Sequence, residues 1–503
     1  MSTRLGVTIG IVVFVAACSG GGGRGGAPAG TAATDAVAGP RAVEDTAAPA
    51  TAAPVASAAP ADGATTTVST SAPAGTACDE SRVAPPEVTG AEPTTVTVWH
   101  YLHDRAADEL AASVATFEAT REDVRVVLVP FASMREELDT WTSTDPADRP
   151  DVVLASDDYI GTLAASPDLL PLDGCLAGGG ALMPVIEQTY TLGGHLVAAP
   201  FLVSTPVLFY DVGAFERAGL DPARPPATLD QLRAALEALV SSGVAPAGIA
   251  LETGGQSGGS WYVEQWLARQ GIESLVAANG RAADAAATSV NWAAPEAVDG
   301  IRFLADLVGD GLATIVEDTS GSADLLRMVD TDPAAMAVQS SASIGEVLDV
   351  LDQGAFGGVE LGVGPLPGPG RGGLVGGAAL WLAAGGDPAR GAAALDLVRH
   401  LTSVEVQAEL AAHTGYVPVR VDSLTEPALV AAYTERPQLR VAVDQLRAMP
   451  TDEASLVPVS SVRTELRTVL GNAVTAILVG GADAQDALDF ATEAAEDLLA
   501  GRA

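Results

Sequence analysis

The 503-residue sequence contains no lysine, and 64 acidic side chains against 26 arginines leave a formal net charge of −38. Such a surplus repels nucleic-acid phosphates and anionic lipid, so neither is expected as a partner. Without lysine, any local cation offered to an anionic ligand must be an arginine or one of the five histidines. Cysteine is nearly absent as well, with three in the whole chain, Cys18, Cys78 and Cys175. The apolar run at residues 5–17 is shorter than the roughly 20 residues of a membrane-crossing helix. A dinucleotide fingerprint is missing too, because Gly362-Val363-Gly364 is followed by Pro367 where the third glycine belongs.

What is present begins with an address. Arg4 followed by the 5–17 run suits a secretory signal peptide, residues 1–17. Val15-Ala16-Ala17-Cys18 resembles the bacterial lipobox, which implies diacylglycerol on the Cys18 thiol. Two or three acyl chains, at about 0.8 kcal/mol per buried CH₂, anchor a protein where one would not. Residues 18–92 are rich in Ala, Pro, Gly and Thr with almost no large apolar side chains, so nothing offsets the entropy of ordering them. This reads as a disordered tether, with a typical span on the order of 45 Å from Cys18 to Cys78. Outside the cytoplasm the two remaining cysteines, Cys78 and Cys175, favour a disulfide, with unpaired thiols as the alternative.

The remainder has the size of two cores, since single cores split beyond roughly 250 to 300 residues. Residues 94–99 alternate as a strand, 105–120 place Leu110, Val114 and Phe117 on one helical face, and 124–129 and 151–155 read as further strands. Strands alternating with helices predict an α/β fold with doubly wound sheets, the ligand crevice lying at the carboxyl ends of the strands. The loops after Trp99, Val129 and Ala155 should therefore face a cleft. Residues 203–210 read as one buried strand. Thr228 and Gln231 form a capping box ahead of Leu229, Leu232, Leu236 and Leu239. Pro295 opens an amphipathic helix with Val298, Ile301, Leu304 and Val308 on one face. Residues 335–338 read as a strand with a polar end at 340–343.

Three motifs carry a family resemblance. The segment from Pro200 to Gln231, PFLVSTPVLFYDVGAFERAGLDPARPPATLDQ, the Gly-Gly-Ala-Ala-Leu-Trp stretch at 376–381 and Thr414-Gly415-Tyr416-Val417-Pro418-Val419 together resemble the extracellular solute-binding proteins of ABC importers. The likeness is greatest to the glycerol-3-phosphate-binding type. It implies a two-lobe periplasmic-binding-protein-like fold, with residues 93–204 and 379–427 in lobe one and 205–378 and 428–503 in lobe two. It also implies a small polyol-based solute held between the lobes, ABC permease subunits as partners, a monomer, and neither cofactor nor catalytic residue. The ligand set it implies is Ser204 at the hinge, Asp158 and Tyr416 from lobe one, and Trp261, Ser343, Gly377 and Arg463 from lobe two.

Each of these residues has a chemical reason. Asp158, in RPDVVLASDDYIG, resembles the aspartate that accepts ligand hydroxyls in maltose-type binding proteins, and charge-assisted bonds of that kind are roughly twice as strong as neutral ones. A solvated loop pair with Asp157 is the alternative. Trp261 offers an aromatic face to C–H surfaces or a quaternary ammonium; Trp266, five residues on, reads as core. Arg463 presents a fork that fits a phosphate, although Arg467 could be confused with it. One departure concerns the solute: the glycerol-phosphate binders carry an aromatic-acidic dipeptide after the second strand, where this chain has Met134-Arg135.

Two other function classes stay open. Gly255-Gln256-Ser257-Gly258-Gly259 fits the G-x-S-x-G nucleophile pattern of a secreted α/β hydrolase, with His400 and His413 downstream, but no H-G-G-G oxyanion segment accompanies it. A sugar-binding cell-wall adhesin would use the long stalk. His100 and His103 lack a third ligand nearby in sequence, so no metal site is expected.

Overall fold

The computed structural model describes residues 93–176, 180–253, 259–282, 285–316, 325, 327–329, 333–354, 358–384 and 387–501. Cys18, Cys78, the tether and residues 254–258 of the G-x-S-x-G segment lie outside them. Thirteen strands follow one another among the described residues: β1 Thr94–His100, β2 Val124–Pro130, β3 Val152–Ser156, β4 Leu169–Leu170, β5 Thr191–Leu192, β6 His195–Leu196, β7 Ala199–Ser204, β8 Pro206–Asp211, β9 Ala247–Glu252, β10 Ala313–Val316, β11 Ala334–Ser340, β12 Leu361–Pro365 and β13 Gly376–Ala383.

They build two main sheets. The first has the order β2-β1-β3-β13-β4 with β7 paired to β13, and the second β10-β9-β11-β8-β12. Within each sheet the expected parallel βαβ pattern is present, β2 and β3 beside β1 and β10 and β11 beside β9. The strands next to the crossings run antiparallel instead, β13 against β3, β4 and β7, and β8 against β11 and β12. The sheets are therefore mixed, because each receives a strand from a chain that enters from its neighbour and not from a crossover helix.

Residues 203–210, read as one strand from their unbroken apolar character, are two. β7 ends at Ser204 in the first sheet and β8 starts at Pro206 in the second. Pro206 has no N–H for a ladder bond, so it suits the first position of a strand and forbids the run from continuing in one sheet. Thr205 is held between them: its N–H donates to Ser341 Oγ at 3.3 Å, its carbonyl accepts from Ser341 N at 2.9 Å, and its Oγ1 accepts from Gln445 Nε2 at 3.1 Å.

The return crossing places Gly377 in the first sheet, opposite Val203, and not in the second lobe as expected from sequence. Its φ of +116° and the carbonyl of Leu202, which a Cβ would approach to 1.8 Å, leave room for glycine alone.

Helices cover the sheets as their periodicity predicts. Asp104–Thr120 buries Leu110, Val114 and Phe117, and Leu229–Ser241 carries the complete Thr228/Gln231 capping box and buries Leu232, Leu236 and Leu239. Pro295–Gly309 buries Val298, Ile301 and Leu304. Arg463–Leu478 and Ala484–Leu499 join the second core through Leu466, Leu470, Val474, Ile477 and Leu488. Fully burying one such aliphatic side chain contributes roughly 1.5–3 kcal/mol, so these faces fix where the polar ends of the helices point. Cys175 is fully buried and disulfide-bonded.

Candidate functional site

The site is built where the first sheet's strand ends meet the start of the Arg463–Leu478 helix. β3 stops at Ser156, whose hydroxyl accepts the Asp158 N–H at 3.3 Å and turns Asp157–Tyr159 into a 3₁₀ turn. The two aspartates diverge there. Asp157 Oδ1 accepts the Gly377 N–H at 3.0 Å, while Asp158 faces the opposite lobe. From that lobe Arg463 and Arg467, one helical turn apart, present both guanidinium groups on the same face.

Asp158 is shared by the two arginines. Arg463 Nε donates to its Oδ1 at 2.9 Å, and Arg467 Nη1 donates to Oδ1 at 3.0 Å and Oδ2 at 3.1 Å. Glu264, on the Gly259–Arg269 helix, lies 3.5 Å from Arg463 Nη2 and 3.8 Å from Arg467 Nε, and Asp157 lies 3.8 Å from Arg463 Nη2. Side-chain exposure in this cluster runs from 5% at Arg463 to 9% at Asp157. Ions so buried survive only when paired, and removing one member of such a pair costs about 3–5 kcal/mol. The cluster holds two positive and three negative side chains, and the excess is resolved at Asp157. Burial and the adjacent Asp158 push its carboxyl up to about 7, while at Asp158 the two arginines outweigh burial and hold it ionised, below the usual carboxylate range.

A cavity of about 340 Å³ opens beside this cluster. Its walls include Tyr101 from the loop after β1, Met134 at the start of the Met134–Ser143 helix that follows β2, Ser156 at the end of β3 with Asp157 and Asp158 after it, Ser204 and Thr205 at the crossing, Trp261, Glu264 and Gln265, Ser340, Gly376 and Gly377, and Arg463 and Arg467. Ser340 Oγ donates to Ser204 Oγ at 3.0 Å across the two sheets. Arg467 Nε and Nη2 are buried without a hydrogen-bond partner, two donors on a side chain that lines the cavity. Hydroxyls, an amide, carboxylates and two aromatic rings together form the lining expected for a small polar solute with apolar C–H faces.

The structure thus brings Asp158, Ser204, Trp261, Gly377 and Arg463 to one cavity. Two expected residues are elsewhere. Ser343 is not among the lining residues, because Ser340 caps a 3₁₀ turn at Ser341–Ser343 and is itself the hydroxyl that lines the cavity. Tyr416 is half-buried against the first core and is not among the cavity's lining residues, and burial pushes its phenol up to about 12. The lining residues outside the expected ligand set include Tyr101, Asp157, Glu264, Gln265, Ser340 and Arg467, of which the sequence offered Asp157 and Arg467 only as alternatives to Asp158 and Arg463. Helical spacing marks two of them, since Glu264 stands three residues after Trp261 and Arg467 four after Arg463. Trp266 is core, its Nε1 donating to the Pro367 carbonyl at 3.0 Å.

Other constellations stay apart from the cavity. His400, on the Pro388–Leu401 helix, is bound to the Ser113 carbonyl of the Asp104–Thr120 helix at 3.0 Å, and His413 ends its own helix. Among the described residues no cluster of three or more His, Cys, Asp or Glu could hold a metal ion. At the Met134-Arg135 departure, Met134 lines the cavity and Arg135 is exposed. Glu137, three residues on, is buried with Oε1 unpartnered, and burial pushes its carboxyl up to about 8.

Residues 112–439 match the profile of a family described as bacterial extracellular solute-binding protein. The sn-glycerol-3-phosphate-binding periplasmic protein UgpB of Pectobacterium atrosepticum is 26% identical over 423 residues, 81% of this chain and 91% of that protein. UgpB from Mycobacterium tuberculosis, solved with glycerophosphocholine, superposes with a TM-score of 0.64 at 20% identity over 82% of this chain and 99% of that one. The GacH receptor of Streptomyces glaucescens, solved unliganded and with acarbose, gives a TM-score of 0.66 at 21% identity over 81% and 98%. The fold is that of the two-lobe periplasmic binding proteins.

The two raised carboxyls predict a pH dependence with a definite sign. Asp157 at about 7 and Glu137 at about 8 remain protonated in the folded chain where the unfolded chain has released its protons, so stability falls as pH rises from about 4 to about 8. Asp158 acts oppositely, and its contribution is lost only as pH drops through and below the ordinary carboxylate range. The thermal midpoint, followed by circular dichroism, should therefore be higher at about pH 5 than at about pH 8. Glu137→Gln should reduce the difference; an unchanged slope would contradict the assignment.

Proposed function

We infer from its family, the bacterial extracellular solute-binding proteins, to which this chain belongs, that it captures a small solute for an ABC importer and that this solute is a neutral, polyhydroxylated molecule of the sugar or polyol class. The observation that carries the solute class is the pairing at Asp158. Both arginines that a phosphate would need already serve a carboxylate, and the cluster as a whole carries no positive excess. A phosphate entering it would have to break bonds between buried ions, whereas hydroxyls can donate to Asp158 and Glu264 and accept from Arg467 Nε and Nη2.

Capture follows from the position of these groups. Tyr101, Asp157 and Asp158 belong to one lobe, Trp261, Glu264 and Arg467 to the other, and a solute that bonds to both at once stabilises the arrangement in which they face each other. The closed lobes then present a surface to the permease subunits. Nothing in this scheme needs a chemical step, and the reading is of a monomeric receptor and not an enzyme. Its place is the outer face of the cell membrane, held by acylated Cys18 with residues 19–92 as the tether. The glycerol-phosphate specificity printed in the names of its relatives is the competing reading.

Calorimetry on the wild-type protein separates the two. A neutral sugar or polyol should bind more tightly than glycerol 3-phosphate or glycerophosphocholine by roughly tenfold or more. Tighter binding of either phosphate compound would overturn the solute assignment. For the anchor, Cys18→Ser should release the protein into the medium or leave its precursor uncleaved, and wild-type mature protein recovered from cells without acyl groups would refute it.

A further inference from the structure

We propose that Asp158 sets the charge class of the solute: its carboxylate occupies the position an anionic ligand would take between Arg463 and Arg467, and its removal turns the cleft into an oxyanion site. The proposal rests on the neutral-solute reading above. It adds that the selectivity resides in one side chain and not in a shortage of cationic groups.

The geometry is that of an internal ligand. Oδ1 receives Arg463 Nε and Arg467 Nη1, and Oδ2 receives Arg467 Nη1 again, all between 2.9 and 3.1 Å. These are the directions from which two guanidinium forks would clasp a phosphate or a carboxylate. Asp158 is delivered from the first lobe by a turn that Ser156 caps, so it enters the arginine pair from the side on which a solute in the cavity would lie.

Two further observations show unused capacity at the same place. Arg467 Nε and Nη2 are buried without a hydrogen-bond partner, so this guanidinium offers more donors than Asp158 satisfies. A phosphate has more acceptor oxygens than a carboxylate and could engage them. Arg463 is positioned independently of Asp158, since its Nη1 donates to the Pro458 carbonyl at 3.0 Å. Removing Asp158 would leave that donor bond in place.

The charge balance points the same way. With the neutral form of Asp157 favoured by burial and by Asp158, the two arginines are balanced by the carboxylates of Asp158 and Glu264. Losing Asp158 leaves Glu264 as the charged partner of both, with Asp157 3.8 Å from Arg463 Nη2. An oxyanion would then replace the lost negative charge at the arginines without adding to it.

The test uses the full chain and titrates inorganic phosphate, glycerol 3-phosphate and the neutral solute found for the wild type into wild-type, Asp158→Asn, Asp158→Ser and Asp158→Ser/Arg467→Gln proteins. The wild type should show no heat with phosphate at millimolar concentration. Either single variant should bind glycerol 3-phosphate about tenfold or more tightly than the wild type does, and the added Arg467→Gln should abolish the gain. Folded single variants that gain no affinity for either anion, while the wild type binds its neutral solute, overturn the proposal and leave the solute class intact. A wild type that prefers glycerol 3-phosphate overturns both. Asp158→Glu keeps the charge and must still reject phosphate, so its binding of phosphate would refute the proposal even if the other variants failed to fold.

Discussion

A single carboxylate, that of Asp158, ties the strand ends of one lobe to a helix of the other. Without it Arg463 and Arg467 lose the carboxylate they share, and without them burial would drive Asp158 toward its neutral form. The neighbouring groups arrange themselves around that constraint. Glu264 approaches the outer edges of both arginines, while Asp157 is left as the carboxyl that burial favours in its neutral form and that the Gly377 N–H holds in place.

The chain path makes this meeting possible. Pro206 ends one sheet and begins the next, so Ser204 and Ser340 come within hydrogen-bond distance where the sheets adjoin. Gly377 returns the chain beside Val203 at a separation that excludes any side chain. Arg281 adds a second tie, donating to the Thr189 carbonyl at 3.0 Å and the Val457 carbonyl at 2.7 Å, with its guanidinium pushed down to about 9 by burial and then by the charge of Arg463. Bonds of this kind fix the relative setting of the strand ends more firmly than apolar packing alone, because each misplacement strands a buried donor.

Much of the fold was legible because periodicity and caps act locally. The Thr228/Gln231 box and the Leu110, Val114 and Phe117 stripe are complete within a few turns of chain. The split of residues 203–210 was not, since both halves are equally apolar and only the missing N–H of Pro206 distinguishes them. At the site, Asp158, Ser204, Trp261, Gly377 and Arg463 reach the cavity, but their mutual relations do not follow from sequence. Asp158 and Arg463 were read as two contacts to a solute, and they are first of all contacts to each other, which changes the charge the cleft can accept. Of the polar end at 340–343, Ser340 lines the cavity and Ser343 does not, because a 3₁₀ turn capped by Ser340 follows β11. Tyr416 packs against the first core outside the cavity lining, in which Tyr101 stands.

The central claim is that the arginines belong to Asp158 whether or not a solute is bound. A crystal structure with the tightest-binding solute measures this directly. Asp158 should still lie within hydrogen-bond distance of both Arg463 and Arg467, with solute hydroxyls on the remaining donors of Arg467 and on the carboxylate of Glu264. A solute oxyanion seated between the two guanidinium groups, with Asp158 turned away from them, would contradict it.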